Sequence, residues 1–194
     1  MERCRPLDRN LANAVAGCGT VTIKGTFYRH ASLSVRPAVG SEAGGRWGRP
    51  GAYPVLYLGR PPDSVTVEAY RHLVDPFPGM TGEMVAPRRF YTYEVSVHLV
   101  LDLSIAENLR AVGLTESDLT GDHARCQAVG AAAHQLGLHG LIAPAATELG
   151  DTLALFTRHL PDGELPNMVD QLVWDTLPAD PRKFRIIKGT AVES

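Results

Sequence analysis

Hydrophobic and polar positions alternate along two stretches of the chain. Residues 21–28 alternate and predict a strand, and residues 90–103 predict the clearest one, with Tyr91, Tyr93, Val95, Val97, Leu99 and Leu101 on one face. Residues 53–58 form a short, nearly continuous apolar run, the pattern of a buried strand; residues 141–146 and 152–156 read as two more. Helical signals lie between them. Residues 7–16 suit a short helix, and Pro61-Pro62-Asp63-Ser64 opens another, with Asp63 or Ser64 as its cap. In that helix Val65, Glu68, Ala69 and His72 share one face. Ser104-Ile105-Ala106-Glu107 reads as a capping box opening a helix that ends near Gly113, and residues 122–138 form an alanine-rich helix stopped by Gly137 or Gly140.

Residues 32–51 and 75–89 are rich in glycine and proline and read as loops. Residues from 161 onward are punctuated by proline and end in a basic, apolar strand or tail over 181–188. Strands and helices intermix without a regular strand–helix–strand beat, which predicts a single mixed α/β (α+β) domain rather than a doubly wound one. The expected organisation is an N-terminal arm or short helix over 1–20, a main domain over 21–160, and a C-terminal extension over 161–194 packed on it.

Composition narrows the setting. The 194 residues are 44% hydrophobic and 21% charged, with a net charge of -2, as expected of a soluble domain with a real core. No basic face is called for, so direct nucleic-acid binding is not expected. No run of about 18 apolar residues predicts a membrane span, and the N-terminus lacks the apolar stretch of a signal peptide. Cys4, Cys18 and Cys126 are too few and too unevenly spaced for a disulfide framework, which suits reduced thiols in the cytoplasm.

The candidate chemistry sits around the first long loop. Gly44-Gly45-Arg46-Trp47-Gly48 places an arginine and a tryptophan on a glycine-rich turn, Tyr57 follows on the apolar strand, and Glu68 falls among apolar residues early in a helix. Upstream, Tyr28-Arg29-His30 adds a second arginine near a strand end. A pliant backbone, a fixed cation, an aromatic face and a carboxylate are what a site needs to hold a dinucleotide and break a glycosidic bond. Trp47 is expected to pack and fix the loop; Tyr91 and Tyr93 are expected in the core, and the Arg88-Arg89 pair in solvent. His123 and Cys126 lie three apart on a helix but lack a second paired set, so no metal site is expected, and Cys126 reads as a small apolar residue.

Taken in order, Tyr28-Arg29, Gly44-Gly45-Arg46-Trp47, Tyr57-Leu58, Glu68, Gly121-Asp122, residues 126–130 and residues 141–146 resemble the RES-domain family, named for an arginine, a glutamate and a serine. The resemblance spans roughly residues 26–160. It implies a fold similar to the bacterial ADP-ribosyltransferase toxins, NAD as substrate without a bound cofactor, and a toxin–antitoxin setting. The implied partner is an antitoxin with a helix-turn-helix DNA-binding half and a segment that plugs the toxin's active site, giving a hetero-oligomer. The family's two arginines fall on Arg29 and Arg46, its tyrosine on Tyr57 and its glutamate on Glu68, with His30 at an aromatic position after the first arginine. The serine is where the chain departs. The two positions that would carry it hold Ala124 and Ala145, and the nearby hydroxyls of Thr120 and Thr147 are out of register.

The resemblance assigns roles that the chemistry supports. Glu68 stabilises the oxocarbenium that forms as nicotinamide leaves, or orients the acceptor. Arg29 and Arg46 clamp the pyrophosphate. Tyr57, with Tyr28 and His30, offers ring surface, and Gly45 lets backbone N–H groups approach phosphate. With inorganic phosphate as co-substrate a further cation is required, for which Arg125 or Arg49 is expected. The implied activity is an NAD phosphorylase or glycohydrolase. The rival readings are a mono-ADP-ribosyltransferase acting on a protein, and a degenerate RES fold that binds a nucleotide or partner without turnover.

Overall fold

The computed structural model describes residues 8–185. It is a mixed α+β domain. In chain order the elements are α1 (Arg9–Gly17), β1 (Val21–Ser32), β2 (Val55–Arg60), α2 (Pro62–Leu73), β3 (Arg88–Asp102), α3 (Ala106–Ala111), α4 (Glu116–Thr120), α5 (Ala124–Gln135), β4 (Gly140–Pro144), β5 (Asp151–Phe156), β6 (Asn167–Trp174) and α6 (Pro181–Arg185).

The strands follow the order β1-β2-β5-β4-β3-β6, and β1 also pairs with β3. Five strands therefore close into a ring, and β6 adds to the first half of β3. All pairings are antiparallel except β3 with β4. Closure leaves little open strand edge in the ring itself.

Ring closure explains the two apolar patterns. Phe27, Leu56, Leu58, Tyr91, Tyr93, Val95, Val97, Leu153 and Leu155 fill one cluster inside the ring. The opposite faces of the short strands, including Val55, Leu141, Ala154 and Phe156, join Val15, Leu109, Leu119, Val129 and Ala133 from the helices in a second cluster. Strands β4 and β5 are thus covered on both faces and read as continuous apolar runs, whereas β1 and β3 alternate. Trp47 belongs to the second cluster and is 1% exposed. A third, smaller cluster of Ala69, Tyr70, Val85 and Leu177 joins α2 to the later chain.

Several local expectations are corrected. The alternation of β3 breaks at Leu99, which has a positive φ of 51° and is 45% exposed, after which Val100 and Leu101 are both buried. The break falls where β3 turns toward its parallel partner β4. Helix α2 begins one residue after the cis Arg60–Pro61 bond, with Pro61 as its N-cap, and neither Asp63 nor Ser64 caps it. Ser104 does not open a capping box: its N–H and hydroxyl both donate to Asp102 Oδ1, at 2.9 and 2.6 Å. The capping box of the structure pairs Thr115 with Asp118 and starts α4. Strand β6 has no counterpart in the sequence pattern, because its side chains are almost all exposed and carry no core pattern. Residues 181–185 are helical, not a strand or tail; residues 186–188, like Cys4 and Leu7, lie outside the described residues. Arg88 is not fully solvated, since its Nε is buried and its Nη2 meets His30 Nδ1 at 3.2 Å.

Candidate active site

A cleft of about 690 Å³ opens where β1, the first long loop, β2, α2 and the start of α5 meet. It gathers Tyr28, Arg29 and His30, then Gly45, Arg46 and Trp47, then Tyr57, then Glu68. The residues expected to bind NAD or cleave it therefore line one cleft, although 40 residues of sequence separate Tyr28 from Glu68.

The glycine-rich loop is held from three sides. Gly45 N–H donates to the Gly48 carbonyl at 2.8 Å, closing the turn. Trp47 N–H donates to the Tyr57 hydroxyl at 3.0 Å, and the Tyr53 hydroxyl donates to the Trp47 carbonyl at 2.9 Å. Gln127 of α5 donates from Nε2 to the Gly45 carbonyl at 3.0 Å. A side chain at Gly130 would collide with the Trp47 carbonyl, so a glycine there lets α5 seat directly on the loop.

The two predicted arginines are anchored differently. Arg46 donates from Nη1 to the carbonyls of Asp118 and Gly121, at 2.9 and 3.2 Å. The loop around α4 thus orients the guanidinium. Arg29 donates from Nη1 to the Val39 carbonyl at 3.0 Å. Burial draws the Arg29 pKa down, and the nearby Tyr93 and Tyr91 partly offset it. Each guanidinium carries five N–H donors, so both retain donors for an anion.

Tyr57, His30 and His123 are neutral walls. Burial lifts the Tyr57 pKa to about 12, against the Trp47 N–H and Arg46, which favour its ionised form. His30 is drawn down to about 3 by burial, then by Arg88, His72 and Arg29. Its ring stacks with Trp174 at 6.3 Å between centroids. His123, which caps α5 beside the cleft, is also lowered, first by burial and then by Arg46. Cys126 lies under the loop, 0% exposed, with Sγ donating to the Asp118 carbonyl at 3.3 Å, and burial raises its pKa.

Helix α2 supplies more than Glu68. Ser64, Val65, Arg71 and His72 also line the cleft. The spacing from Ser64 to Glu68 to Arg71 keeps one stripe of the helix turned toward it. His72 Nε2 lies 3.4 Å from Glu68 Oε1. Ser64 is 3% exposed, and its hydroxyl meets that of Thr147 at 2.8 Å. Arg71 donates from Nη1 to the Ala146 carbonyl. The sequence pattern places His72 on this stripe, reads Ser64 only as a cap and does not single out Arg71; counting helical turns from Glu68 in both directions finds both.

Other expectations fall outside the cleft. Arg49 and Arg125 do not line it; Arg125 is paired with Asp118 at 3.1 Å. Ala124 is exposed at the start of α5, and Ala145 is buried with its N–H on the Gly150 carbonyl at 2.9 Å. The Thr120 hydroxyl turns back to the Ser117 carbonyl at 3.3 Å.

Comparison with known proteins places this geometry. A family model described as the RES domain matches residues 22–175. The NAD(+) phosphorylase MbcT of Mycobacterium tuberculosis is 32% identical over 164 residues, covering 82% of this chain and 88% of that protein. A probable NAD(+) phosphorylase of the same organism is 34% identical over 162 residues, 79% of this chain and 75% of that protein. Among solved structures, the crystal structure of the M. tuberculosis MbcT–MbcA toxin–antitoxin complex contains a chain that matches with a TM-score of 0.78 and 28% identity, covering 95% of this chain and 100% of that one.

Proposed function

The chain belongs to the RES-domain family, and from that premise we propose that it degrades NAD by cleaving the bond between nicotinamide and ribose, as the toxin of a toxin–antitoxin pair. The observation that carries the reading is the single cleft shared by Arg29, Arg46, Tyr57 and Glu68. The relatives that are NAD(+) phosphorylases cover most of this chain, and the toxin–antitoxin complex shares its fold.

In this reading the pyrophosphate of NAD lies against Arg29 and Arg46, whose remaining N–H donors suit charge-assisted bonds. Departure of neutral nicotinamide leaves positive charge on the ribose, and Glu68 stabilises it. Tyr57 and Tyr28 give ring surface for a base or nicotinamide. Neutral His30 and His123 add polar walls without repelling the positive ribose. The acceptor is inorganic phosphate, with water as the competing acceptor. The partner is an antitoxin that occupies the cleft, and the site of action is the cytoplasm, where NAD is plentiful. Among the described residues no helix is long and apolar enough to cross a membrane.

The test is to incubate purified, partner-free protein with NAD, with and without inorganic phosphate, and to identify the products. The reading expects loss of NAD, release of nicotinamide and, with phosphate, ADP-ribose-1″-phosphate. Label from NAD appearing on a protein would turn the reading to transfer. No loss of NAD by folded protein would refute it.

A further inference from the structure

Arg71 is a cation in the cleft that neither arginine of the family pattern accounts for. It sits three residues after Glu68 on α2, so the two side chains leave the helix about 5–6 Å apart at Cβ. Its Nη1 donates to the Ala146 carbonyl. Among the described residues its other N–H groups have no protein partner. One bond therefore fixes the fork and leaves donors for something else. One turn before Glu68, the hydroxyl of Ser64 is hydrogen-bonded to that of Thr147, the residue after Ala146, and either can donate. When Thr147 donates to Ser64, the Ser64 proton is free to turn into the cleft. The β4–β5 turn thus holds a guanidinium and a hydroxyl on the same wall as the carboxylate.

This arrangement discriminates between acceptors. Water attacking the ribose needs a base to take its proton and has no use for a cation. A phosphate dianion needs no base, but it would be repelled by Glu68 unless a cation stood beside it. Arg71 is that cation, and His72, 3.4 Å from Glu68, flanks the same carboxylate. We infer that Arg71 and Ser64 form the subsite that receives inorganic phosphate as the acceptor, an inference that rests on the NAD-cleaving reading of the cleft. A phosphate oxygen forms the new bond to C1 of the ribose as the C1–N bond breaks. The electron pair of that bond goes to the nicotinamide ring nitrogen, which becomes neutral. The phosphate keeps its own proton in the step, and the product is the sugar 1-phosphate.

The experiment varies phosphate at saturating NAD for the wild type, Arg71→Gln, Arg71→Lys and Ser64→Ala, with thermal melts as the check on folding. A charge-assisted bond is worth enough that Arg71→Gln should raise the KM for phosphate by about tenfold or more. The KM for NAD should stay within about twofold, and Arg71→Lys should recover part of the loss. Ser64→Ala, which removes only one oxygen, should raise the phosphate KM by several-fold and serves if Arg71→Gln does not fold. Titration of inorganic phosphate into the same proteins by calorimetry reads the subsite without turnover. Weaker phosphate binding in Arg71→Gln supports it even if the wild type leaves NAD intact, an outcome that refutes the NAD reading alone. An unchanged phosphate KM and unchanged phosphate binding in Arg71→Gln overturn the inference. So does wild-type cleavage of NAD that is indifferent to phosphate.

Discussion

The backbone N–H of Trp47 donates to the hydroxyl of Tyr57 at 3.0 Å, which ties the loop that carries Arg46 to strand β2. A tyrosine expected to offer its ring to the substrate thus also acts as a strut. A Cβ on Gly45 would come within 2.7 Å of the same hydroxyl, so the loop lies directly on it. The phenol stays protonated, with its pKa raised to about 12, and it can accept from Trp47 at any pH the protein meets in use.

Tyr57→Phe keeps the ring and deletes the acceptor. The Trp47 N–H is then left in the protein without its partner, at a cost of about 1–3 kcal/mol. The expected result is a lower urea midpoint and a raised KM for NAD, because Arg46 is carried by the loosened loop. A variant with wild-type stability and KM would show that the strut is unimportant.

Gly130→Ala pushes a methyl group into the Trp47 carbonyl, an atom of the backbone that cannot rotate away. Overpacking of this kind costs about 1–3 kcal/mol. The expected result in urea is destabilisation of that size together with loss of NAD turnover. Alanine at Gly163, where the added Cβ meets nothing, is the control and should change neither.

Arg46→Lys replaces a fork with a point charge. One Nη1 of Arg46 bridges the carbonyls of Asp118 and Gly121, and a lysine ammonium that reaches them has no planar second edge for the pyrophosphate. The Asp118 carbonyl still accepts from Cys126 Sγ, so the fold should survive. kcat/KM for NAD should fall about tenfold or more with little change in melting temperature.

His30 makes stability depend on pH. Its folded pKa is lowered from 6.5 to about 3, by burial first and then by Arg88, His72 and Arg29. Between those values the unfolded chain binds the extra proton and the folded chain does not, so stability falls as pH drops from 6.5 toward 3 and is intact above 6.5. His134, lowered to about 4 by burial and by His159 and Arg158, acts in the same direction. His30→Phe keeps a ring against Trp174 and removes the titration. The difference in urea midpoint between pH 8 and pH 4.5 should be smaller in this variant than in the wild type; an equal difference would assign the pH dependence to other groups.

The ring strands were legible because each buries one face or two. Phe27 and Tyr93 mark alternating strands, and Leu153 to Phe156 mark a strand covered on both sides. Strand β6 was not legible: Val169, Leu172 and Val173 are all about half exposed, and pairing with β3, which leaves no pattern in the side chains, holds it in place. The same contrast runs through the site. Arg46 and Glu68 stood out because a glycine turn and an apolar stripe frame them. Arg71 did not, since an arginine late in a helix looks solvated until Ala146, 75 residues later, is known to lie beneath it. Arg125 reads as a free cation in the sequence, but it is paired with Asp118. Ser64 reads as a cap after two prolines, yet α2 starts earlier and turns that hydroxyl inward.

The central claim is that Glu68 carries the cleavage of NAD in this cleft, and the most direct measurement is NAD consumption by Glu68→Gln beside the wild type, with folding matched by thermal melts. Turnover should fall by about 100- to 1,000-fold while the variant still binds NAD, as expected when one group that stabilises developing charge is neutralised. Consumption of NAD by Glu68→Gln at the wild-type rate would contradict it.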